Sequence, residues 1–536
     1  MIQNIALCCL PVLPLLVPAY AGVYTSDVCV YGATSGGVVA AVQAARMGKT
    51  VILADPGRNV GGMTAGGLGW VDFGWKDAIG GMSLEFIHRV AAHYADLPES
   101  EWKQGKGWTF EPHVAEAIFN DMLAEAKVPI HFGEELADVK KNGPRITKLT
   151  MSNGDVFNAK IFIDATYEGD LMARARVNYT TARESNAQYH ETDNGIRLRL
   201  PHLNGKVLRI DPYVEPGNPA SGLLPLIQPS DPGVDGEAGP ESDAQAYNYR
   251  LCLTKDEANR MPIEPPPDYS PARYELFARF IAGAQAADIP IALKQDPKRN
   301  LGFLKIDPLP NGKTDVNNGG WFSTDFIGGS KGYAEADYAT RKTIAKNNEN
   351  YIRGLLHFLA SDPRVPEEIR TSMQSWGLCR DEFQANGGWP FQLYVRESRR
   401  MLGAYVMTEH DCRRTTGLTD SIGLGSYPMD SHAYRRLVWD GAAATEGGFF
   451  SALASPYPIS YRAITPKEDE CENLLVPACC SASHAAYASL RMEPVFMILG
   501  QSAATAAAIA IDDDVPVQRV DTKKLQAKLL QDKQLL

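Results

Sequence analysis

The sequence has no dense cluster of basic residues, no Cys-x-x-Cys motif, no internal repeat and no low-complexity tract. Its 53 Lys and Arg residues stand against 64 Asp and Glu residues, for a net charge of −11, so nucleic-acid binding is not expected. Without paired cysteines, neither a thioredoxin-like dithiol nor a zinc knuckle is predicted, and we expect no metal site. Hydrophobic residues make up 44% and charged residues 22% of the 536 positions, which is typical of a large globular enzyme.

Charged side chains are also missing from the N-terminus, where the first one is Asp27. Residues 5–17 are apolar but too short to span a bilayer, and an Ala19-Tyr20-Ala21 cleavage pattern follows. This pattern predicts a signal peptide over residues 1–21, with cleavage near Ala21, and therefore a secreted, extracellular protein without a membrane span. Because no Lys or Arg precedes the apolar stretch, a buried N-terminal strand is the alternative.

Secretion would allow the cysteines to form disulfides and one asparagine to carry a glycan. Removing Cys8 and Cys9 with the signal peptide leaves seven of the nine cysteines, an odd number that cannot all pair within one chain. The sequence does not determine which cysteines pair. Asn178-Tyr179-Thr180 is an acceptor triplet for an N-linked glycan in a eukaryotic secretory route, which would make the protein a glycoprotein.

The clearest motif lies at the start of the mature chain. Residues 27–31 are typical of a buried strand, 32–37 of a turn, 38–47 of a helix rich in small apolar residues, and 50–54 of a second buried strand that ends at Asp55. This order predicts a βαβ unit with a phosphate-binding turn. The alternative is a βαβ unit that binds no nucleotide.

Each part of the turn has a physical role. Gly32 permits the tight turn, Gly37 lets the helix pack closely, and the helix N-terminus directs N–H groups toward a pyrophosphate. Asp55 is placed to accept hydrogen bonds from ribose hydroxyls. The predicted cofactor-binding residues of this motif are Gly32, Thr34, Ser35, Gly36, Gly37 and Asp55, with Thr34 at the usual middle glycine position.

A second glycine-rich run follows at 61–69, with five glycines in nine residues. Glycines allow the backbone to approach a planar ring system closely, which favours a flavin over a nicotinamide. The predicted cofactor-binding residues of this run are Gly61, Gly62, Met63, Thr64 and Gly67.

Together these motifs resemble those of the glutathione-reductase-like FAD enzymes. More narrowly, the sequence looks like the secreted FAD-dependent oxidoreductase family, some members of which carry the label xanthan lyase. Similar blocks recur at 146–172, which includes an Asn153-Gly154 hairpin signal, and at 394–403, 425–432 and 473–501. Thr34 and Ala504 depart from the family pattern.

The resemblance implies an α/β fold in which an inserted α+β substrate domain interrupts a Rossmann-like FAD-binding domain. It places Asp164 and Gly500 near FAD and points the N-terminus of the helix predicted at 495–511 toward the flavin. The implied organisation is 22–180 and 396–512 for the FAD-binding domain, 181–395 for the substrate-facing domain and 513–536 for an exposed tail helix.

Two histidines and one arginine within the family blocks are the candidate catalytic residues. Histidine titrates near neutrality and suits the acid or base role that hydride transfer requires, so His484 and His432 are candidates. Arg491 is the candidate cation beside the flavin or the substrate. The alternative for either histidine is a buried structural role. Arg396 and Arg400 would share one face if their segment were helical, and a structural ion pair is the favoured role.

These features predict a secreted FAD-dependent oxidoreductase that oxidises a small molecule by hydride transfer to flavin. The substrate would be a sugar, a sugar acid or a secondary-metabolite intermediate, and oxygen or another acceptor such as a quinone would reoxidise the flavin. One alternative is an FAD-containing lyase or isomerase that acts on a carbohydrate without net redox. Another is a binding protein that has lost its cofactor. No oligomeric state is predicted.

Overall fold

The computed structural model describes residues 21–536, so the predicted signal peptide lies outside the described residues except for Ala21. Up to residue 180, the strands are β1 (Val23–Tyr31), β2 (Val51–Asp55), β3 (Ile130–Phe132), β4 (Leu136–Asn142), β5 (Arg145–Met151), β6 (Val156–Asp164) and β7 (Tyr179–Thr180). The helices of this part are α1 (Ser35–Arg46), α2 (Gly62–Ala65), α3 (Gly81–Tyr94), α4 (Glu99–Gln104), α5 (Pro112–Glu125) and α6 (Asp170–Arg174).

The central part of the chain carries a second set of elements. Its strands are β8 (Leu198–Arg199), β9 (His202–Leu203), β10 (Lys206–Val207), β11 (Leu251–Thr254), β12 (Arg260–Met261), β13 (Ile291–Lys294), β14 (Leu301–Pro308), β15 (Lys313–Asn318) and β16 (Gly377–Cys379). Its helices are α7 (Asn186–Tyr189), α8 (Glu275–Ala286), α9 (Tyr338–Ser361) and α10 (Glu367–Gln374).

The C-terminal part completes the fold. Its strands are β17 (Arg400–Met401), β18 (Ser421–Gly425), β19 (Met429–Trp439), β20 (Ala442–Ser451), β21 (Tyr457–Ser460) and β22 (Leu474–Leu475). Its helices are α11 (Glu409–Cys412), α12 (His484–Leu490), α13 (Glu493–Asp513) and α14 (Thr522–Gln531).

The first sheet confirms the α/β fold class. Its strand order is β3-β2-β1-β6-β5-β4, and β1, β2, β3 and β6 run parallel. Residues 28–31 of β1 are fully buried, as expected for a parallel strand covered on both faces. Near its end β6 pairs in parallel with β22, so the returning chain adds a strand to the sheet that the N-terminal part began.

The hairpin predicted at Asn153-Gly154 is confirmed. β5 pairs antiparallel with β6 through Leu149 opposite Phe157, and Gly154 adopts a left-handed φ of +95°. The central part forms a separate six-stranded sheet in the order β12-β16-β11-β15-β14-β13. A smaller sheet, β19-β20-β8, joins a central strand to a long C-terminal hairpin.

The predicted tail helix is amphipathic and exposed on one face only. Leu525 and Leu529 of α14 are fully buried, because leucines four residues apart form one apolar helix face that docks on the core. The segment that contains Arg396 is not helical and has no regular secondary structure up to β17, so Arg396 and Arg400 do not share a helix face. Its arginines are therefore held by separate partners: Arg396 pairs with Asp325, and Arg400 with Glu184.

Helix α13 is long and apolar enough to cross a membrane, but 94% of its most apolar 18-residue window is buried inside the fold. It packs along α1, where both helices present small residues. Within residues 21–536, this apolar helix is part of the core.

Candidate functional site

The turn between β1 and α1 has the geometry of a phosphate-binding turn. Gly32 has a φ of +104°, and a Cβ placed there would lie 2.7 Å from the backbone nitrogen of Thr166. Thr34 caps α1: its Oγ1 accepts the Gly37 N–H at 3.2 Å and donates to the Ala165 carbonyl at 2.8 Å. The threonine at the usual glycine position therefore fastens the turn to the end of β6.

The acid at the end of β2 faces this turn. Asp55 Oδ2 accepts the Ala33 N–H at 2.5 Å, and Oδ1 accepts the Gly57 N–H at 2.6 Å. Burial raises the pKa of Asp55 to about 6, although both N–H groups oppose the shift. The carboxylate shapes the turn and still has lone pairs that can accept hydroxyl hydrogen bonds.

A cavity of about 270 Å³, which we call the turn cavity, opens at this point. Residues from the turn, from β2 and from the inserted domain line it, among them Gly32, Thr34, Asp55, Thr166, Tyr167, Glu168, Tyr333, Arg341, Gln392 and Leu393. The cavity therefore lies between the first sheet and the central part of the chain.

The other predicted glycines of the first motif serve helix packing. A Cβ on Gly37 would lie 1.8 Å from the Gly32 carbonyl oxygen, and one on Gly36 would lie 2.6 Å from the Phe496 carbonyl oxygen. On the facing helix, a Cβ on Gly500 would lie 2.1 Å from the Gly36 carbonyl oxygen. Gly36 and Gly500 thus bring α1 and α13 into backbone contact.

The glycine run contacts both the segment after β6 and the residue before β11. A Cβ on Gly62 would lie 2.2 Å from the Tyr167 hydroxyl, and one on Gly67 would lie 2.1 Å from the Arg250 carbonyl oxygen. The Met63 N–H donates to the Tyr167 hydroxyl at 2.9 Å. Gly61 precedes α2 with a φ of +88°.

Glu493, the first residue of α13, joins these segments and was not predicted from the sequence. Its carboxyl oxygens accept hydrogen bonds from Ser35 Oγ at 2.6 Å, Thr64 Oγ1 at 2.7 Å and the Tyr167 hydroxyl at 2.7 Å. Burial raises its pKa. One carboxyl therefore connects the phosphate turn, the glycine run and the segment after β6.

Asp164, at the end of β6, has a supporting position. It is fully buried and accepts hydrogen bonds from Thr166 Oγ1 at 2.7 Å and from the Met172 N–H at 2.8 Å. Burial raises its pKa to about 6. Asp164 therefore orders the backbone that Thr166 and Tyr167 present to the turn cavity.

A second cavity, of about 550 Å³, contains His432, and we call it the histidine cavity. It lies between the six-stranded sheet of the central part, the β19-β20 hairpin and the residues just before α13. Its wall carries acidic, amide, aromatic and basic side chains: Asp72, Asp325, Asp430, Gln295, Asn317, Asn318, Trp321, Tyr394, Tyr427, Phe449, Phe450, Arg199, Lys305, His432 and Arg491.

His432 is oriented by a carboxylate. Its Nδ1 lies 2.7 Å from Asp325 Oδ2, while Asp325 Oδ1 lies 2.9 Å from Arg396. Burial opposes ionisation of Asp325, but Arg396 and His432 outweigh it and lower its pKa. Burial, together with Arg396, lowers the pKa of His432. The lowered pKa favours the neutral ring, in which Nδ1–H would donate to the Asp325 carboxylate and Nε2 would keep its lone pair.

Arg491 is a buried cation on the same wall. It is 3% exposed, donates to the Asp430 carbonyl at 2.6 Å and to the Tyr394 hydroxyl at 3.3 Å, and has no carboxylate within 4.0 Å among residues 21–536. Its Nε has no hydrogen-bond partner in that part of the chain. The guanidinium charge is therefore available to an anionic group in the cavity.

His484 lies behind the cavity wall. It is 1% exposed, and its ring contacts Glu397 Oε2 at 2.8 Å, Ser431 Oγ at 3.0 Å and the Tyr434 hydroxyl at 3.1 Å. Burial opposes ionisation of Glu397, but His484 and Arg400 hold its pKa at about 2. The structure thus brings His432 and Arg491 together on one cavity and places His484 in a buried polar network.

A cavity of about 750 Å³ lies apart from these residues, between α1, α3 and α14. Its charged side chains pair with one another, as Arg46 does with Glu85 and Lys528 with Asp532. It contains neither the turn nor either candidate histidine.

Comparison with known proteins identifies the cofactor chemistry. Residues 27–529 match the family model described as FAD dependent oxidoreductase. The search of curated proteins gave no match.

Partial similarity to solved flavoproteins accompanies the family match. One of these structures is T. acidophilum thioredoxin reductase, 21% identical over 26% of this chain and 34% of that one, with a TM-score of 0.18. A flavoprotein/dehydrogenase from Cytophaga hutchinsonii is 19% identical over 30% of this chain and 44% of that one, with a TM-score of 0.22. The chain therefore spans less than half the length of these structures.

Proposed function

Because the chain belongs to the FAD dependent oxidoreductase family, we propose that it oxidises a small hydroxylated molecule in the histidine cavity. The cofactor is FAD, which when bound accepts a hydride equivalent from a substrate. The observation that carries the proposal is the pairing of His432 with Asp325 on a cavity wall that also presents Arg491.

The residues present fit FAD. A Cβ at position 32 would clash with Thr166, so only glycine fits there. Asp55 is the last residue of β2 and lines the turn cavity. These residues and Thr34 would hold the phosphate and ribose portion. Met63 and Thr64 of the glycine run would hold the ring portion, near the N-terminal end of α13, whose dipole favours negative charge.

His432 would act as the base. Since Asp325 accepts the Nδ1 proton, Nε2 keeps a lone pair that can take the proton of a substrate hydroxyl. The lowered pKa keeps this nitrogen unprotonated at neutral pH. The substrate carbon thus loses a hydride as its hydroxyl loses a proton, and a carbonyl forms.

The cavity wall supports a polyhydroxylated substrate. Asp72 and Asp430 offer carboxylate acceptors, Asn317 offers an amide, and Trp321 and Phe450 offer aromatic faces to the C–H groups of a ring. This combination suits a sugar or a sugar acid, and a secondary-metabolite intermediate with several hydroxyls would meet the same groups.

We further propose that the mature protein acts outside the cell, as the N-terminal sequence indicates, with oxygen or a quinone as the acceptor that reoxidises the cofactor. A lyase or isomerase is the second candidate, since a neutral His432 can also abstract a proton from carbon. That reaction would leave the oxidation state of the flavin unchanged.

An anaerobic substrate screen separates these possibilities. The purified protein should show a flavin spectrum, and denaturation should release the colour if the FAD is not covalently bound. Sugars, sugar acids and polyols would then be added without oxygen while the absorbance near 450 nm is followed. Bleaching supports the oxidoreductase, whereas product formation with unchanged absorbance supports the lyase or isomerase. A protein that cannot be reconstituted with FAD would overturn the proposal.

A further inference from the structure

Two cysteines of the inserted sheet lie side by side although they are 127 positions apart in the chain. β11 pairs antiparallel with β16 through Leu253 opposite Leu378, and continuing that register by one pair places Cys252 opposite Cys379. Their sulfur atoms are 3.7 Å apart, and both residues are fully buried.

The geometry suits a covalent bond. Directly opposite residues of antiparallel strands have Cα atoms about 4.5–5.5 Å apart, which overlaps the range of about 4.4–6.8 Å that disulfides span. Closing the sulfur atoms to the bond length of about 2.0 Å requires side-chain rotation and little backbone movement. The surroundings are apolar, since Leu309, Trp70 and Phe383 pack around the pair.

We infer that Cys252 and Cys379 form a disulfide when the chain folds in an oxidising compartment. The two thiols give up two protons and two electrons, and a disulfide-containing oxidant, such as glutathione disulfide or the disulfide of an oxidoreductase, is reduced to two thiols. The bond forms before the sheet is complete, because burial in the folded protein excludes the oxidant and raises the pKa of Cys252.

The pair differs from the other described cysteines. Cys479 and Cys480 are chain neighbours, and a bridge between adjacent residues is strained. Cys479 Sγ instead lies 3.3 Å from the Tyr167 carbonyl oxygen. Cys29, Cys412 and Cys471 are buried thiols in the structure. We therefore expect one disulfide and five remaining thiols in the mature chain.

The disulfide would fix one strand of the central sheet next to a residue that contacts the glycine run. Arg250 immediately precedes β11, and its guanidinium forms two hydrogen bonds with Asp315, at 2.7 Å and 2.6 Å. Its carbonyl is the group that abuts Gly67 of the glycine run. Both cysteines belong to the central sheet, so the cross-link joins β11 to β16 and limits the movement of Arg250 within that sheet. The inference does not depend on the proposed substrate.

Mass spectrometry of two preparations tests the inference. The full chain is produced once through a secretory route and once in a reducing cytoplasm, and each sample is denatured in an alkylating agent without reductant and digested. The secreted sample should contain a linked Cys252–Cys379 peptide that disappears after reduction, whereas the cytoplasmic sample should contain both residues alkylated. Alkylation of both residues in the secreted sample, or a link to another cysteine, would overturn the inference.

Thermal unfolding tests the stabilising effect. Reductant should lower the Tm of the secreted wild type by several degrees, because the cross-link closes a long loop. The double variant C252A/C379A should show no such response, and C471A, which keeps the pair, should respond like the wild type. An equal response of the double variant to reductant would contradict a stabilising role for this bond.

Discussion

Glu493 Oε2 lies 2.6 Å from Ser35 Oγ, although the two residues are 458 positions apart in the chain. The same carboxyl group accepts hydrogen bonds from Thr64 and Tyr167. Helix α13 thus begins on a residue that connects the β1–α1 turn, the glycine run and the segment after β6.

Replacing Glu493 should weaken FAD binding. E493A leaves three buried hydroxyl groups without their acceptor, at a cost of about 1–3 kcal/mol for each group that stays unpaired. We expect at least about a tenfold loss of FAD affinity, because bound FAD would then have to order segments that the carboxyl no longer connects, and a cost of 1.4 kcal/mol corresponds to a factor of ten. The ratio of flavin to protein absorbance after purification, followed by fluorescence titration of the apoprotein with FAD, measures this loss.

E493Q is the matched control. Burial raises the pKa of Glu493 and favours its neutral form, which an amide of the same shape resembles. We expect E493Q to bind FAD within a few-fold of the wild type. If E493A binds FAD as tightly as E493Q, the carboxyl does not organise the cofactor site.

A single methyl group should disrupt the phosphate turn. In G37A the added Cβ would lie 1.8 Å from the Gly32 carbonyl oxygen, so the turn and α1 must move apart. We expect loss of bound FAD and a Tm several degrees lower. G417A is the control, because a Cβ there has no atom within 4 Å and the backbone is not left-handed. Equal FAD content in G37A and the wild type would argue against the turn as the cofactor site.

Loss of the cavity histidine should slow flavin reduction. H432N removes the proposed base and should reduce the anaerobic rate of substrate-driven bleaching by about 10²–10⁴-fold while FAD stays bound. D325N, which removes the group that orients the ring, should give a smaller loss. H93A changes an exposed histidine on α3 and should leave the rate unchanged. Wild-type kinetics in H432N would exclude this residue as the base.

The pH profile of flavin reduction should report the same histidine. Protonation of Nε2 removes the base, and burial lowers the pKa of His432 below its ordinary value of 6.5. The rate should therefore stay constant from neutral to mildly acidic pH and fall only at pH values below 6.5. Stopped-flow bleaching across this range measures the acid limb. This fall in rate at acidic pH should be absent in H432N. If H432N still shows it, the titrating group is not His432.

Part of this organisation could be predicted because it is local. The βαβ unit and the Asn153-Gly154 hairpin each arise from neighbouring residues whose periodicity and turn chemistry appear in one stretch of sequence. The conformation around Arg396 could not be predicted, because its arginine spacing is compatible with a helix and its ion-pair partner Asp325 lies far away in the chain.

Short segments of the sequence were enough to predict the α/β class and FAD as the cofactor, because glycine placement and strand hydrophobicity are constraints within such segments. Tertiary structure decided the rest of the site. His432 and His484 lie in similar blocks, yet packing places one beside Asp325 on a cavity wall and the other against Glu397 in the interior. Contacts between residues far apart in the chain depend on how distant segments pack together. The residue pattern of one short segment does not indicate that packing.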